Sequence, residues 1–228
     1  MASSSLMERL KVETADLHRR TESTTFQRML FAGEVSRSMF VRYLVGLYGM
    51  HSALEDHLLR ATWRVPEMAT ILTTAHFHAT RLRKDLEFFG VAPRQGREFP
   101  SVSDYVARLE RESESCPVAL LGAHYVFEGS ANGGRILAPR VRRALRLTGV
   151  EGSESLDPHG EKQREIWLDY RRRVDECAPA VLSAEAVLAM ARDTFLAVEA
   201  LCLDLLPGAI DPVRARANVS VHGMPASH

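Results

Sequence analysis

The sequence predicts an all-α protein that folds as a single-domain bundle of about eight helices. Apolar residues recur at helical spacing along most of the chain, and no segment shows the sustained alternation that is typical of a strand. The chain has 228 residues, of which 46% are hydrophobic and 25% charged, which suits one globular domain with a sizeable core. Glycine and proline fall between the periodic segments, where they begin or end helices.

The first half of the chain predicts four helices, each bounded by residues that start or stop helices. Gly33 and Gly90 can end two of them, because glycine readily adopts the left-handed conformation found after a last turn. Ser36 or Ser38 can cap a long helix, and Pro66 suits the first turn of another. We expect these helices at residues 6–22, 23–31, 36–62 and 66–89.

The second half of the chain predicts four more helices after a linker at residues 91–100. Ser101 to Asp104 is typical of a capping box that opens a short helix, and Pro117 can open the next helix. A loop follows at 149–160, and the last two helices are expected at 161–177 and 183–206. We therefore predict one helical domain over residues 1–208 and a disordered tail over 209–228.

Charge and cysteine content exclude several classes of function. The 29 basic and 29 acidic side chains cancel, which disfavours nucleic acid and anionic membrane surfaces as partners. Cys116, Cys177 and Cys202 form no metal or redox motif, and three unpaired thiols favour a reducing compartment. The N-terminal segment lacks the apolar core of a signal peptide, and no stretch is suited to span a bilayer. We expect a cytoplasmic protein without a membrane anchor.

Lys11, Thr14, His18 and Glu22 share one face of the first predicted helix, because spacings of three, four and seven residues return to nearly the same angle. Seven residues rise roughly 10 Å, which places the Lys11 cation at one edge of a flat ligand centred on the His18 imidazole. Iron binds a neutral imidazole nitrogen, and an acceptor such as Glu22 can fix the other nitrogen. The alternative is a half-buried helix histidine without a ligand.

Three glycines stand close together in an otherwise helical segment, at Gly129, Gly133 and Gly134. Each costs about 1 kcal/mol relative to alanine, so together they cost roughly 3 kcal/mol in a helix interior. Their lack of side chains would let a large flat ligand approach the backbone, and they could let the helix kink as a mobile lid. A plain loop, or close packing on a neighbouring helix, is the alternative.

Two further groups have both a functional and a structural interpretation. His51 and Glu55 lie one turn apart on the long helix, either as satisfied core residues or as polar groups above a ligand. Arg171, Arg172 and Arg173 form either a solvated face or a site where one guanidinium pairs with ligand carboxylates.

In this order and spacing, the features together resemble the heme oxygenase family over residues 6–206. The segment from Tyr125 to Ser130 is similar to the distal-helix sequence of some bacterial members. The positions that support the resemblance are Lys11, His18, Glu22, Phe26, Gly33, Tyr48, Glu55, Gly129, Gly133, Gly134, Tyr170, Arg171, Thr194 and Phe195.

The resemblance implies a heme oxygenase-type bundle that holds heme between a proximal and a distal helix. His18 would be the proximal iron ligand, and Lys11 and Arg171 would bind the heme propionates. Gly129, Gly133 and Gly134 would face the heme and bound oxygen. The remaining positions expected at the heme are Glu22, Tyr125 and Phe195.

Three departures from the family pattern fall on the oxygen side of the expected site. Ser130 stands where many members have an aspartate that anchors a water network, and His51 replaces a tyrosine that joins it. His124 replaces a tyrosine that contacts a propionate, with Tyr125 beside it. Serine carries no charge, so proton delivery would use Ser130, His51, Asn132 and water.

The activity implied is oxygen-dependent cleavage of heme to biliverdin, carbon monoxide and ferrous iron. Because the chain has no flavin or iron–sulfur motif, electrons would come from a separate ferredoxin or flavin reductase. A non-catalytic heme carrier or sensor of the same fold remains an alternative, favoured by Ser130. A di-iron oxygenase, a thiamin-degrading enzyme and a purely structural helical protein are further alternatives. The di-iron class is disfavoured because no histidine follows an acidic residue at the third position.

Overall fold

The fold is all-α, as the sequence predicts. The computed structural model describes residues 5–181 and 183–206, and among these all side chains except those of residues 178–181. No strand occurs in the described residues. The predicted end of the domain at residue 208 and the predicted tail at 209–228 lie outside them. The ten helices are α1 (Leu6–Glu13), α2 (Ala15–Glu22), α3 (Thr25–Ala32), α4 (Arg37–Arg64), α5 (Met68–Ile71), α6 (Ala79–Phe88), α7 (Pro100–Ser115), α8 (Leu120–Leu145), α9 (Gln163–Val181) and α10 (Ala184–Asp204).

Local start and stop signals predict the bounds of α3 and α4 well. Gly33 ends α3 in the left-handed conformation with φ at 73°, and the Ser36 hydroxyl accepts a hydrogen bond from the backbone N–H of Met39 at the start of α4. The apolar face of α4, including Phe40, Leu44 and Leu54, is buried in the core. Both helices therefore form where propensity, capping and the apolar pattern agree.

Two predicted helices are each divided in the structure, which raises the number from eight to ten. The first predicted helix is interrupted at Thr14, whose backbone leaves the helical conformation and separates α1 from α2. The predicted helix at 66–89 was wrong: α5 is a single turn, and a 3₁₀ turn at Thr74–His76 precedes α6. The cause is a tertiary contact, because Glu55 of α4 accepts hydrogen bonds from the backbone N–H groups of His78 and Ala79 and so caps α6.

The predicted capping box at Ser101–Asp104 was also wrong. Helix α7 begins at Pro100, and the flanking residue Phe99 provides no side-chain cap. The backbone N–H of Ser101 instead donates to the carboxylate of Asp204 at the end of α10, at 3.3 Å. The helix therefore starts earlier than its local sequence indicates, because an acceptor arrives from the far end of the chain.

Helix α10 lies at the centre of the bundle and packs against α8, α7 and α2, while α4 packs against α7 and α6. The core along these contacts is apolar and includes Phe26, Tyr105 and Leu201, which are almost fully buried. Among the described helices, none is both long enough and apolar enough to cross a membrane. Because α2 and α8 both pack on α10, a cavity can form between them.

Candidate functional site

A cavity of about 560 Å³ is bounded by helices α1, α2, α4, α8 and α10. Its volume falls within the range of pockets that enclose cofactors and other small ligands. Most of its wall is apolar, with Leu47, Leu137, Val198 and Trp167 among the lining side chains. An apolar pocket of this size with a few polar groups suits a large flat hydrophobic ligand.

Helix α2 presents His18 to the cavity. The imidazole is 55% exposed, and its Nδ1 lies 3.6 Å from the nearer carboxylate oxygen of Glu22, one turn along the helix. The ring also meets the Phe195 ring edge to face, with their centroids 5.7 Å apart. Phe195 therefore restricts the orientation of the imidazole, and the Glu22 carboxylate favours a proton on Nδ1. The Nε2 lone pair is then available to a metal ion.

Helix α1 adds one cation to the same cavity. Lys11 lines it and is exposed, and it forms no ion pair with any described carboxylate. An unpaired ammonium at the edge of an apolar pocket is suited to binding a ligand carboxylate.

Helix α8 contributes its glycines to the cavity, and each has a different environment. A side chain at Gly133 would meet no atom within 4 Å, so the backbone there faces open space. A Cβ atom at Gly134 would collide with the carbonyl oxygen of Leu156, and one at Gly129 would touch Trp167 at 3.4 Å. Close packing therefore explains Gly134, whereas Gly133 leaves room for a ligand to approach the helix backbone.

Helix α8 is continuous through these glycines, from Leu120 to Leu145. Side-chain hydrogen bonds hold this stretch to its own backbone. The Ser130 hydroxyl donates to the carbonyl of Phe127 at 2.7 Å, and the Asn132 amide donates to the carbonyl of Gly129 at 2.9 Å. Helical backbone geometry thus persists through the glycines, because neighbouring elements and these bonds offset their low propensity.

His51 reaches the cavity from α4 and is buried. Its ring lies on Phe127 with centroids 4.1 Å apart, and its Nδ1 is 3.9 Å from Glu55. Burial lowers the pKa of His51 well below its ordinary value, with help from the neighbouring His78 and His124. At neutral pH the imidazole is therefore uncharged and can either donate or accept one hydrogen bond.

Of the residues proposed from the sequence as contacts of the ligand, Glu55, His124 and Arg171 do not line the cavity. Arg171 is half-buried on α9 and lies off the cavity wall. Burial raises the pKa of Tyr125, which does line the cavity, and the charge of Arg171 partly opposes that rise. The next residue, Arg172, pairs with Asp169 and Glu176 on the outer face of α9, as expected for a solvated arginine. The cavity residues are Lys11, His18, Glu22, His51, Tyr125, Gly129, Ser130, Asn132, Gly133, Gly134 and Phe195.

Several other residues at or beside the cavity were not predicted from the sequence. His78, Leu156 and Trp167 line it from segments that lie 11 to 42 residues from α8. Glu128 and His159 lie just behind His78, fully enclosed. One signal was available for Glu128: a carboxylate in the middle of an apolar helical run is rarely left unpaired when buried.

The comparisons with known proteins bear directly on this arrangement. The family model described as heme oxygenase matches residues 4–204. The chain belongs to the heme oxygenase family. The chain is 30% identical to the heme oxygenase of Takifugu rubripes over 151 residues. It is 28% identical to human heme oxygenase 1 over 200 residues.

Coverage of the heme oxygenase relatives differs between sequence and structure comparisons. The match to the Takifugu rubripes protein covers 64% of this chain and 54% of that relative, and the match to the human protein covers 84% and 68%. The chain thus spans about half to two thirds of the length of these relatives. The solved heme oxygenase of Leptospira interrogans is 26% identical with a TM-score of 0.78, covering 87% of this chain and 98% of that structure.

A cyanobacterial structure adds evidence on the fold. Heme oxygenase-2 from Synechocystis in complex with heme and NO superposes with a TM-score of 0.80 at 24% identity, covering 89% of this chain and 85% of that one. The heme oxygenase fold predicted from the sequence is therefore confirmed.

Proposed function

We propose that the protein binds one heme in this cavity and cleaves it, with oxygen and electrons, to biliverdin, carbon monoxide and ferrous iron. The observation that supports this most directly is that His18 and Gly133 line the same cavity from two different helices. An imidazole oriented by Glu22 and Phe195 lines the same cavity as a stretch of α8 that has no side chain at Gly133. Membership of the heme oxygenase family supports the same function.

The residues present fit heme. His18 would hold the iron through Nε2, and Lys11 would bind a propionate as an exposed cation. Gly133 would let the macrocycle approach the helix backbone, while Tyr125 and Phe195 would contact its faces and edges. When bound, heme supplies the iron and the redox chemistry of oxygen activation. Arg171 lies off the cavity wall, so we assign it no propionate contact.

The protein's own role on the oxygen side is to position polar groups. The Ser130 hydroxyl donates a hydrogen bond to the Phe127 carbonyl, so its oxygen lone pairs stay free to accept another hydrogen bond. Asn132 and the neutral His51 complete a set that can hold water without introducing a charge. Ser130 and Asn132 are exposed in the heme-free protein, and heme bound against the apolar wall would shield them from bulk water and strengthen these hydrogen bonds.

Electrons for the reaction would come from a ferredoxin or a flavin reductase, and we propose a cytoplasmic location from the free cysteines. The carrier or sensor alternative is tested by the same experiment. Purified protein is mixed with hemin, supplied with a ferredoxin system or ascorbate in air, and followed by absorption. We expect one heme per chain and growth of biliverdin absorbance; a stable heme spectrum under these conditions would favour the carrier.

Two variants test the residues assigned to the two walls of the cavity, His18 on α2 and Gly133 on α8. His18→Ala removes the iron ligand, so the spectrum of the ferric complex should change and turnover should fall at least about 100-fold. Gly133→Leu fills the cavity from the other helix, so heme affinity and turnover should fall although His18 is intact. Unchanged heme spectra and turnover in His18→Ala would contradict the assigned ligand, and full activity in Gly133→Leu would contradict the assigned distal wall.

A further inference from the structure

Behind the cavity wall lies a buried cluster of two histidines and one glutamate that the proposed function leaves unused. His78 precedes α6, Glu128 lies in α8, and His159 lies in the loop before α9. The Nε2 of His78 is 3.0 Å from one oxygen of Glu128, and the Nε2 of His159 is 3.1 Å from the other. The three side chains are 6%, 0% and 2% exposed.

Charge in this cluster is poorly balanced by the protein. The Glu128 side chain is fully buried, and among the described residues its carboxylate has only the two imidazoles as hydrogen-bond partners. Among the described residues, no lysine or arginine pairs with Glu128. A fully buried carboxylate is expensive without a cation, and the cluster therefore favours binding one.

We propose that His78, Glu128 and His159 form a second metal site, separate from the heme iron, that binds a divalent transition-metal ion. Two imidazoles and one carboxylate are the protein ligands typical of mononuclear non-heme Fe²⁺ sites and of many open Zn²⁺ sites. Ligands bound at about 2.1 Å lie roughly 3.0–3.5 Å apart, so the two nitrogen–oxygen distances already suit a common ion. All three ligand atoms lie within 4.8 Å of one another.

The surroundings of the cluster support a polar occupant. His124 lies one turn before Glu128 on the same face of α8 and is 2% exposed, yet neither of its ring nitrogens has a hydrogen-bond partner among the described residues. The Nδ1 of His78 is likewise buried and unpartnered. Unsatisfied buried nitrogens are costly, and water held at the cluster would supply a partner for His124.

The location of the cluster indicates which ion it would take. His78 also lines the large cavity, so the site opens onto the place where heme is proposed to bind. The choice of Fe²⁺ rests on the proposed function, because cleavage of the macrocycle frees a ferrous ion beside these ligands. The ability of the site to bind a divalent ion does not depend on that function.

The test uses the heme-free full chain and Co²⁺ as probe, since Co²⁺ bound by nitrogen and oxygen ligands absorbs visible light. We expect one equivalent to bind at pH 7.5, with binding weakening as protons compete at lower pH. Glu128→Gln keeps the shape of the side chain, and His159→Gln replaces the imidazole with a neutral polar group. Each should weaken binding at least about 100-fold, because even loss of an outer partner costs 10- to 100-fold. His57→Gln, on the far side of α4, is the matched control and should bind like the native protein. Anaerobic Fe²⁺ should displace the bound Co²⁺ only when added in large excess, because Co²⁺ generally binds such ligands more tightly than Fe²⁺.

These measurements distinguish a metal site from a hydrogen-bonded triad. Absence of stoichiometric Co²⁺ binding, or equal binding by the native protein and both variants, would overturn the metal site and leave a hydrogen-bonded triad. If Glu128→Gln fails to fold by circular dichroism, His159→Gln decides, because its residue lies in a loop. Heme titration is run in parallel. Cobalt binding without heme binding would contradict the proposed function alone, and heme binding without cobalt binding would contradict only the metal site.

Discussion

Glu55 shows how one buried carboxylate can both fix the start of a helix and titrate near neutral pH. Its carboxylate accepts the backbone N–H groups of His78 at 2.6 Å and Ala79 at 2.9 Å, and thereby fixes the start of α6 beside the cavity. Burial is the largest influence on its acidity and raises its pKa to about 7, although the two backbone donors oppose that shift. The residue is therefore held close to its titration point at physiological pH.

Glu55→Gln should change how stability depends on pH. A folded-state pKa of about 7 exceeds the ordinary value of 4.5, so the native protein is stabilised by the protonated form and loses that stability as pH rises from about 4.5 through 7. Glutamine keeps an acceptor oxygen but cannot ionise. The free energy of unfolding of the native protein should therefore fall, relative to Glu55→Gln, by on the order of 2 kcal/mol between pH 5 and pH 8.

Urea unfolding of both proteins at pH 5 and pH 8 measures this difference. The buried histidines titrate in both proteins, so their contribution largely cancels in the comparison. A difference in stability that stays the same at the two pH values would show that Glu55 does not have a raised pKa.

At the level of elements, the mispredicted starts of α6 and α7 share one cause, which also operates elsewhere in the fold. Carboxylates distant in the chain accept hydrogen bonds from backbone N–H groups at the beginnings of several segments. Asp175 accepts from Met7 in α1, Asp204 from Ser101 in α7, and Asp85 from two residues of the 3₁₀ turn at Glu154–Leu156. Such caps satisfy the free N–H groups of a helix as well as a local serine does, but no local motif announces them.

Helix α8 offers a matched pair of substitutions. Gly133→Ala should stabilise the heme-free protein by about 1 kcal/mol, because alanine favours the helix and its methyl group meets open space. Gly134→Ala should destabilise it by roughly 1–3 kcal/mol, because its Cβ would collide with the backbone of Leu156. Urea unfolding of the two variants without heme tests this opposition. Equal effects of the same sign would refute the distinct environments assigned to these glycines.

For the whole molecule, the cavity links ligand binding to folding. Helices α2 and α8 both pack on α10 and leave a space between them, so the folded protein can bind heme in a way that the unfolded chain cannot. A ligand present at 100 times its Kd adds about 2.7 kcal/mol to the stability of the folded state.

Heme should therefore raise the thermal midpoint of the native protein, and the rise should grow with heme concentration. His18→Ala, measured at the same heme concentration, should show a much smaller rise, because the coordinate bond is lost while the apolar contacts remain. Thermal unfolding with and without hemin provides the measurement. An equal rise in both proteins would mean that heme binds without His18.

The sequence by itself determined the fold class, most helix positions and the family, because these follow from the spacing of apolar residues and from motifs within single helices. His18 and Glu22 are one turn apart on one helix, and the glycines of α8 lie within six residues, so their association was visible in the chain. Tertiary structure alone decided that Arg171 lies off the cavity wall and that Glu55 starts α6. It also brought His78, Glu128 and His159 together from three segments. The physical reason is distance along the chain: contacts between remote segments depend on how helices pack, and local propensity and spacing carry no information about that packing.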